Sequence, residues 1–250
     1  MVGMFGLFGL SYEFRWSVLW VEPHLTWLLN GLSTTLRLAA ISWVFAVLLG
    51  IIFGAMRTVS FRPVRAIATF YVEFFRNVPL LVWLFFWYFG APEAFPEVIK
   101  QWFIHHGIEF WSGVAAISIY HGARLSEVIR SGIQAIPKTQ LEAGLSTGLS
   151  LIETYRLILI PVALRLIVPP TTNESLNILK NTSLAMTIGV AELTFATRQI
   201  ETYTAKAVEA LTAAALIYLV LCLIISTIMN KVERKYAIPG LIVRGTGAEH

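Results

Sequence analysis

The side chains that stand out are ionisable groups set inside long apolar runs. Arg124 and Glu127 lie three apart toward the end of one run, Glu73 and Arg76 near the start of another, and Arg165 inside a third. A charge at the centre of a bilayer costs about 2.5–3.5 kcal/mol. Each must therefore pair, face a cavity or serve a function. Glu73 and Arg76 can pair along one helix face, and read as structural. Arg124 and Glu127 have the same spacing and admit the same reading. After Pro169-Pro170 comes a polar run with Thr172, Asn173, Glu174, Asn177, Lys180, Asn181, Thr182 and Ser183. Broken backbone at membrane depth is tolerated where it lines a cavity. The five histidines (24, 105, 106, 121 and 250) have no cysteine or carboxylate at ligand spacing, so no metal is expected. His121 stands beside Gly122 with only Glu127 as a nearby acid, and no hydrolase constellation forms around it. The single cysteine, Cys222, has no partner for an intrachain disulfide.

The elements that position these groups follow from composition. Of the 250 residues, 56% are hydrophobic and 14% charged, with mean hydropathy +0.69; soluble domains carry roughly 25% charged residues. The fold class is all-α and polytopic. A spanning helix needs about 20 apolar residues, which predicts five spans near 27–56, 66–89, 110–130, 155–172 and 206–230. Pro161 and Pro169 are expected to kink the fourth. Segment 1–26 precedes the spans and 231–250 follows as a tail. Met1–Leu10 has no basic residue ahead of it, so it does not read as a signal peptide.

Lys and Arg set orientation. Twelve cations fall in 57–76, 124–156 and the tail; six fall on the other side, with Arg165 inside a span. The richer side is expected to be cytoplasmic, which puts the N-terminus outside and the C-terminus inside. Trp16, Trp20, Trp27, Trp87, Trp102 and Trp111 then cluster at the outer boundary as an aromatic belt. The acidic segment 91–109 falls on the outer side, either as a solvated loop or as a place for a soluble partner. No dense basic cluster points to nucleic acid.

The loop 131–154 is too polar for lipid. Pro137 can start a helix, and Leu141, Leu145 and Leu149 recur at four-residue spacing. Gly144 and Gly148 are expected to leave a low patch on a neighbouring face. Such a helix can insert into a partner's groove or lie against the membrane.

Glu142-Ala143-Gly144, three residues, Gly148, nine residues, then Ile158-Leu159-Ile160-Pro161 resembles the coupling loop of bacterial ABC-importer permeases, with Gly144 for Ala and Ile160 for Leu. Glu73 to Leu81, Glu127 to Ile133 and Leu179 to Leu184 resemble the polar-amino-acid permeases of that group, over roughly 27–235, and most of all their glutamate/aspartate importers. The resemblance implies a type I importer permease in a bacterial inner membrane. It implies an ATPase dimer in the cytoplasm, a second and related permease subunit, a periplasmic amino-acid-binding protein, and lipid around the spans. Glu142, Ala143, Gly144, Gly148 and Pro161 would form the ATPase-coupling element. The chain has no phosphate-binding loop; it is expected to be no enzyme and to bind no cofactor, with ATP and Mg on the partner ATPase. On this reading Arg124 faces the path and attracts a side-chain carboxylate. Glu174, Asn177, Lys180, Thr182 and Ser183 also line the path, with Glu174 and Lys180 meeting a zwitterion, or else close a gate or pack the subunit pair. Another polar cargo (Gln, His, Arg or cystine) keeps the architecture. A secondary transporter or channel is disfavoured by the lack of an internal repeat.

Overall fold

The computed structural model describes residues 12–236, which are helical, with no strand among them. The apolar stretch 1–10 and positions 237–250, including Arg244 and His250, lie outside the described residues.

Helix α1 (His24–Met56) has 33 residues and reaches about 50 Å at 1.5 Å per residue. Its exposed Val44, Phe45, Leu48, Ile51 and Ile52 suit a lipid-facing surface. Helix α2 (Arg62–Arg76) starts with a proline in its first turn and stops at Asn77, whose amide donates to the Glu73 carbonyl at 2.7 Å. Pro79 then caps α3 (Leu80–Phe85), followed by a π turn (Phe86–Gly90) and α4 (Ala91–Ala94). The expected second span, 66–89, is therefore broken: Pro79 has no N–H to donate and biases Val78 away from helix. The acidic segment 91–109 is ordered as α4 and α5 (Glu97–His106), with Lys100 bound to Glu93 at 3.2 Å.

Helix α6 (Ile108–Gln134) is followed by α7 (Lys138–Ser146), α8 (Leu151–Thr154) and a π turn (Tyr155–Leu159). Helix α9 (Ile160–Asn181) runs unbroken through Pro169 and Pro170. The break expected at this proline pair is absent. The Thr171 hydroxyl returns to the Ile167 carbonyl at 2.8 Å, adding a hydrogen bond along the affected turn. Regular α-helix gives way only at the 3-10 segment Thr182–Ile188, before α10 (Leu193–Thr204) and α11 (Ala207–Tyr236). The first six residues assigned to the tail, from Lys231, continue α11.

Among the described residues, α1 and α11 are long and apolar enough to cross a membrane, and α2 with α3–α4 passes the same test only as a bent pair, a broken span or a re-entrant loop. Helices α6 and α9, with 27 and 22 residues, are long enough but diluted by polar groups, the same groups that attracted notice in the sequence.

The chain forms two compact units, Met1–Phe45 with Val78–Tyr120 and Asn177–Leu223, and Ala46–Asn77 with His121–Leu176 and Ile224–His250. All eight tryptophans belong to the first. So do only six of the 19 cations, Arg15, Arg37, Lys100, Lys180, Arg198 and Lys206; the others belong to the second.

The first unit packs Leu19, Leu28, Leu193, Ile200, Ala210 and Ala214 together. Beside them the fully buried Glu192 caps α10. It accepts from the Thr194 and Phe195 amides at 2.9 Å and from the Tyr218 hydroxyl at 2.7 Å. A buried carboxylate needs that many donors to replace water. In the second unit, α1 approaches α6 through Gly50 and Gly54. A Cβ on Gly50 would lie 2.7 Å from the Leu125 Cβ, and one on Gly54 2.9 Å from the Ile129 Cβ. Small residues four apart permit this close helix approach.

Candidate functional site

Both candidate sites lie in the second unit. The first is the loop after α6. Pro137 caps α7, and its fixed φ and missing N–H suit a helix start. Gly148 ends the helix at φ 86°, with its N–H on the Leu145 carbonyl at 3.0 Å and the Leu149 N–H on the Gly144 carbonyl at 3.3 Å. That paired closure requires a left-handed residue, which glycine supplies without Cβ strain. The expected low patch of two glycines is not formed. Gly148 lies beyond the helix, and Gly144 is buried: a Cβ there would meet the Thr154 Cγ2 at 2.5 Å and the Ile158 Cδ1 at 3.1 Å. The departure from alanine at 144 thus has a local cause, since Thr154 takes the space. Nor do the three leucines form one buried face, because Leu145 is 44% exposed and Leu149 is outside α7.

Glu142 and Ala143 are exposed, so α7 presents Glu142, Ala143 and Leu145 outward and Gly144 inward. Its base is held by a capping box. The Glu153 carboxylate accepts from the Ser150 amide at 2.8 Å and hydroxyl at 2.7 Å. Those bonds, the hydroxyl first, hold the Glu153 pKa below the usual carboxylate range. Their contribution is present above the ordinary carboxylate pKa and is lost as pH falls through the lowered one. Pro161 follows the π turn in the first turn of α9. The Ile160 N–H there reaches back five residues to the Tyr155 carbonyl.

The second site is a charge cluster. Glu174 is buried at 6% exposure on α9 and receives two partners from α6. His121 Nδ1 lies 2.9 Å from its Oε2, and Arg124 approaches both oxygens at 3.0 Å through Nε. The structure thus separates Arg124 from Glu127. Glu127 is bound by Arg57 at 2.5 Å and by Arg130, tying the chain just after α1 to α6. His121 and Arg124 are one helical turn apart, so one carboxylate reaches both. The Arg124 side chain keeps 38% exposure while His121 keeps 1%.

The sequence left Arg124 open to pairing with Glu127 or to facing the path, and offered His121 no acid but Glu127. The i, i+3 spacing of His121 and Arg124 was the available signal; the helix that supplies their carboxylate was not legible. Glu174 is no open cation site, because two groups already occupy it. Asn177, Lys180, Thr182 and Ser183 belong to the first unit. The Thr182 and Ser183 hydroxyls donate to the carbonyls of Leu179 and Lys180, while Lys180 is exposed. Glu73 and Arg76 form the expected pair at 3.5 Å, solvent-accessible and of small energetic weight.

Residues 46–238 match the family described as binding-protein-dependent transport system inner membrane component. The glutamate/aspartate import permease protein GltJ of Escherichia coli strain K12 is 37% identical over 241 residues, 92% of this chain and 98% of that protein. The glutamine transport system permease protein GlnP of the same strain is 33% identical over 226 residues, covering 90% and 99%. A chain in the crystal structure of an amino acid ABC transporter with histidines matches with TM-score 0.76 and 30% identity, covering 90% and 100%.

Two outcomes follow from the geometry. Gly144→Ala destabilises the purified chain by about 1–3 kcal/mol through overpacking. Thr154→Ala in the same chain recovers most of that loss, a non-additivity measurable by thermal unfolding in detergent. Glu174→Ala costs about 3 kcal/mol, the low end for breaking a buried pair because Arg124 is partly hydrated, whereas Glu174→Gln keeps shape and an acceptor and costs less. Equal unfolding midpoints for the two Glu174 variants would contradict the assignment of that carboxylate as an ionic tie.

Proposed function

This chain belongs to the family of binding-protein-dependent transport system inner membrane components, and on that premise we propose that its cargo is L-glutamate or L-aspartate. It is the permease subunit of an ABC importer, a transport component of a bacterial inner membrane. A separate ATPase dimer drives it, with ATP and Mg bound there and no cofactor on this chain. A periplasmic binding protein delivers the amino acid, and a related permease completes the pathway.

Orientation is supported by the division of charge. The cation-rich segments 57–76, 124–156 and 231–250 face the cytoplasm, which puts the N-terminus outside and the C-terminus inside. Helix α7 then lies on the ATPase side. Its outward Glu142, Ala143 and Leu145 enter a cleft of the ATPase, Gly144 and Ile158 seat it against its own base, and Gly148 fixes where it ends. ATPase closure moves α7 and, through the Ile158–Pro161 junction, α9.

The observation that carries the acidic cargo is Arg124. Its guanidinium already binds a carboxylate in geometry that charge-assisted pairing favours, and 38% of the side chain stays accessible. Similarity to GltJ agrees with this cargo. Similarity to GlnP supports a second reading, in which Glu174 neutralises Arg124 and the cargo is glutamine.

Competition in ATP-driven uptake separates the two. In proteoliposomes holding the complete complex, Arg124→Tyr is expected to lower glutamate kcat/KM about 10- to 100-fold, the worth of a hydrogen bond to a charged group. Wild-type uptake of labelled glutamate is displaced by aspartate and not by glutamine or arginine. Unchanged glutamate uptake in the variant, or displacement by glutamine alone, would discard the acidic reading and keep the importer.

A further inference from the structure

Arg165 has no part in coupling or in the charge cluster around Glu174. On α9 it lines a cavity of about 270 Å³ together with Asn230, Glu233, Arg234 and Tyr236 from the end of α11. The depth of this cavity follows from α11 itself. Its apolar course ends at Met229, and Asn230, Lys231, Arg234 and Lys235 follow within two turns. Cations just beyond an apolar helix mark the headgroup level. Arg165 reaches that level by sharing the cavity with Arg234, which removes the cost of a charge at mid-bilayer.

The cavity carries two guanidinium groups against one carboxylate, and one Glu233 oxygen already accepts from the Thr172 hydroxyl at 2.5 Å. Among the described residues neither Arg165 nor Arg234 has an ion-pair partner. Asn230 and Tyr236 add neutral donors. Val168 and Pro169 of α9, which line the same cavity, give acyl chains an apolar surface within it. We propose that this cavity holds the phosphate of an anionic phospholipid headgroup, gripped by Arg165 and Arg234. The arginine fork matches phosphate oxygens, and basic pockets between helices at the cytoplasmic face take such headgroups. Free phosphate shares the chemistry but lacks the chains that would use the apolar surface.

Native mass spectrometry of the full chain in detergent, titrated with dioleoylphosphatidylglycerol, reads retained lipid directly. Arg165→Gln and Arg234→Gln are each expected to reduce retention about fivefold, and Arg165→Lys to keep at least half. Lys231→Gln, at the same helix end but outside the cavity, leaves retention unchanged. Dioleoylphosphatidylcholine is held equally by all variants, and millimolar inorganic phosphate does not displace the phosphatidylglycerol. Equal phosphatidylglycerol retention by wild type and both arginine variants would overturn the proposal. So would an equal loss in Lys231→Gln, which means diffuse attraction, or displacement by inorganic phosphate, which means a free-anion site.

Discussion

One buried carboxylate anchors the polar interior of the second unit. Glu174 sits on α9 in surroundings too apolar to leave it hydrated, and α6 supplies His121 and Arg124 to hold it. The attraction is strong because water is scarce there, and the same scarcity makes the loss of any partner expensive. One turn farther along α6, Glu127 binds Arg57 and Arg130. Two acids and four bases thus fix how α6 is held within its unit. They also explain why α6 and α9 fall short of the apolarity of α1 and α11 while remaining long enough to span.

That constraint bears on transport. A permease must move parts of itself without exposing bare charge to lipid. Ionic ties between helices keep charges compensated, while glycine contacts such as Gly50 and Gly54 against α6 allow backbones to pack closely without large side chains between them. The loop after α6 is built by complementary means. Helix α7 is short, capped by Pro137 and closed by Gly148, so it behaves as a defined peg with Glu142 and Ala143 outward. Its inward face is set by one missing methyl at Gly144.

The legible parts were those governed by local rules. Apolar length placed α1 and α11 within a few residues, and the loop pattern found α7 with its proline start, though not its glycine stop. Local rules also failed in identifiable places. Pro79 broke the second span because it has no N–H to donate and biases Val78 away from helix, whereas Pro169-Pro170 did not break α9. Pro161 and Pro169 were the prolines expected to kink a span, and Pro79 was not among them. Gly144 and Gly148 looked alike at four-residue spacing, yet one serves packing and the other a left-handed turn. Arg124 was found, but the one partner within the chain weighed for it was its neighbour Glu127. The true partner is 50 residues away on another helix, and no periodicity carries that pairing.

The central claim is that this chain moves an acidic amino acid only when α7 is driven by an ATPase. The most direct measurement is uptake of radiolabelled glutamate into proteoliposomes holding the chain, its second permease, the ATPase and the binding protein, with Gly148→Asp alongside. The account predicts uptake that requires ATP and collapses in Gly148→Asp while the binding protein still binds glutamate. Robust uptake with the ATPase omitted, or full activity in Gly148→Asp, would contradict it.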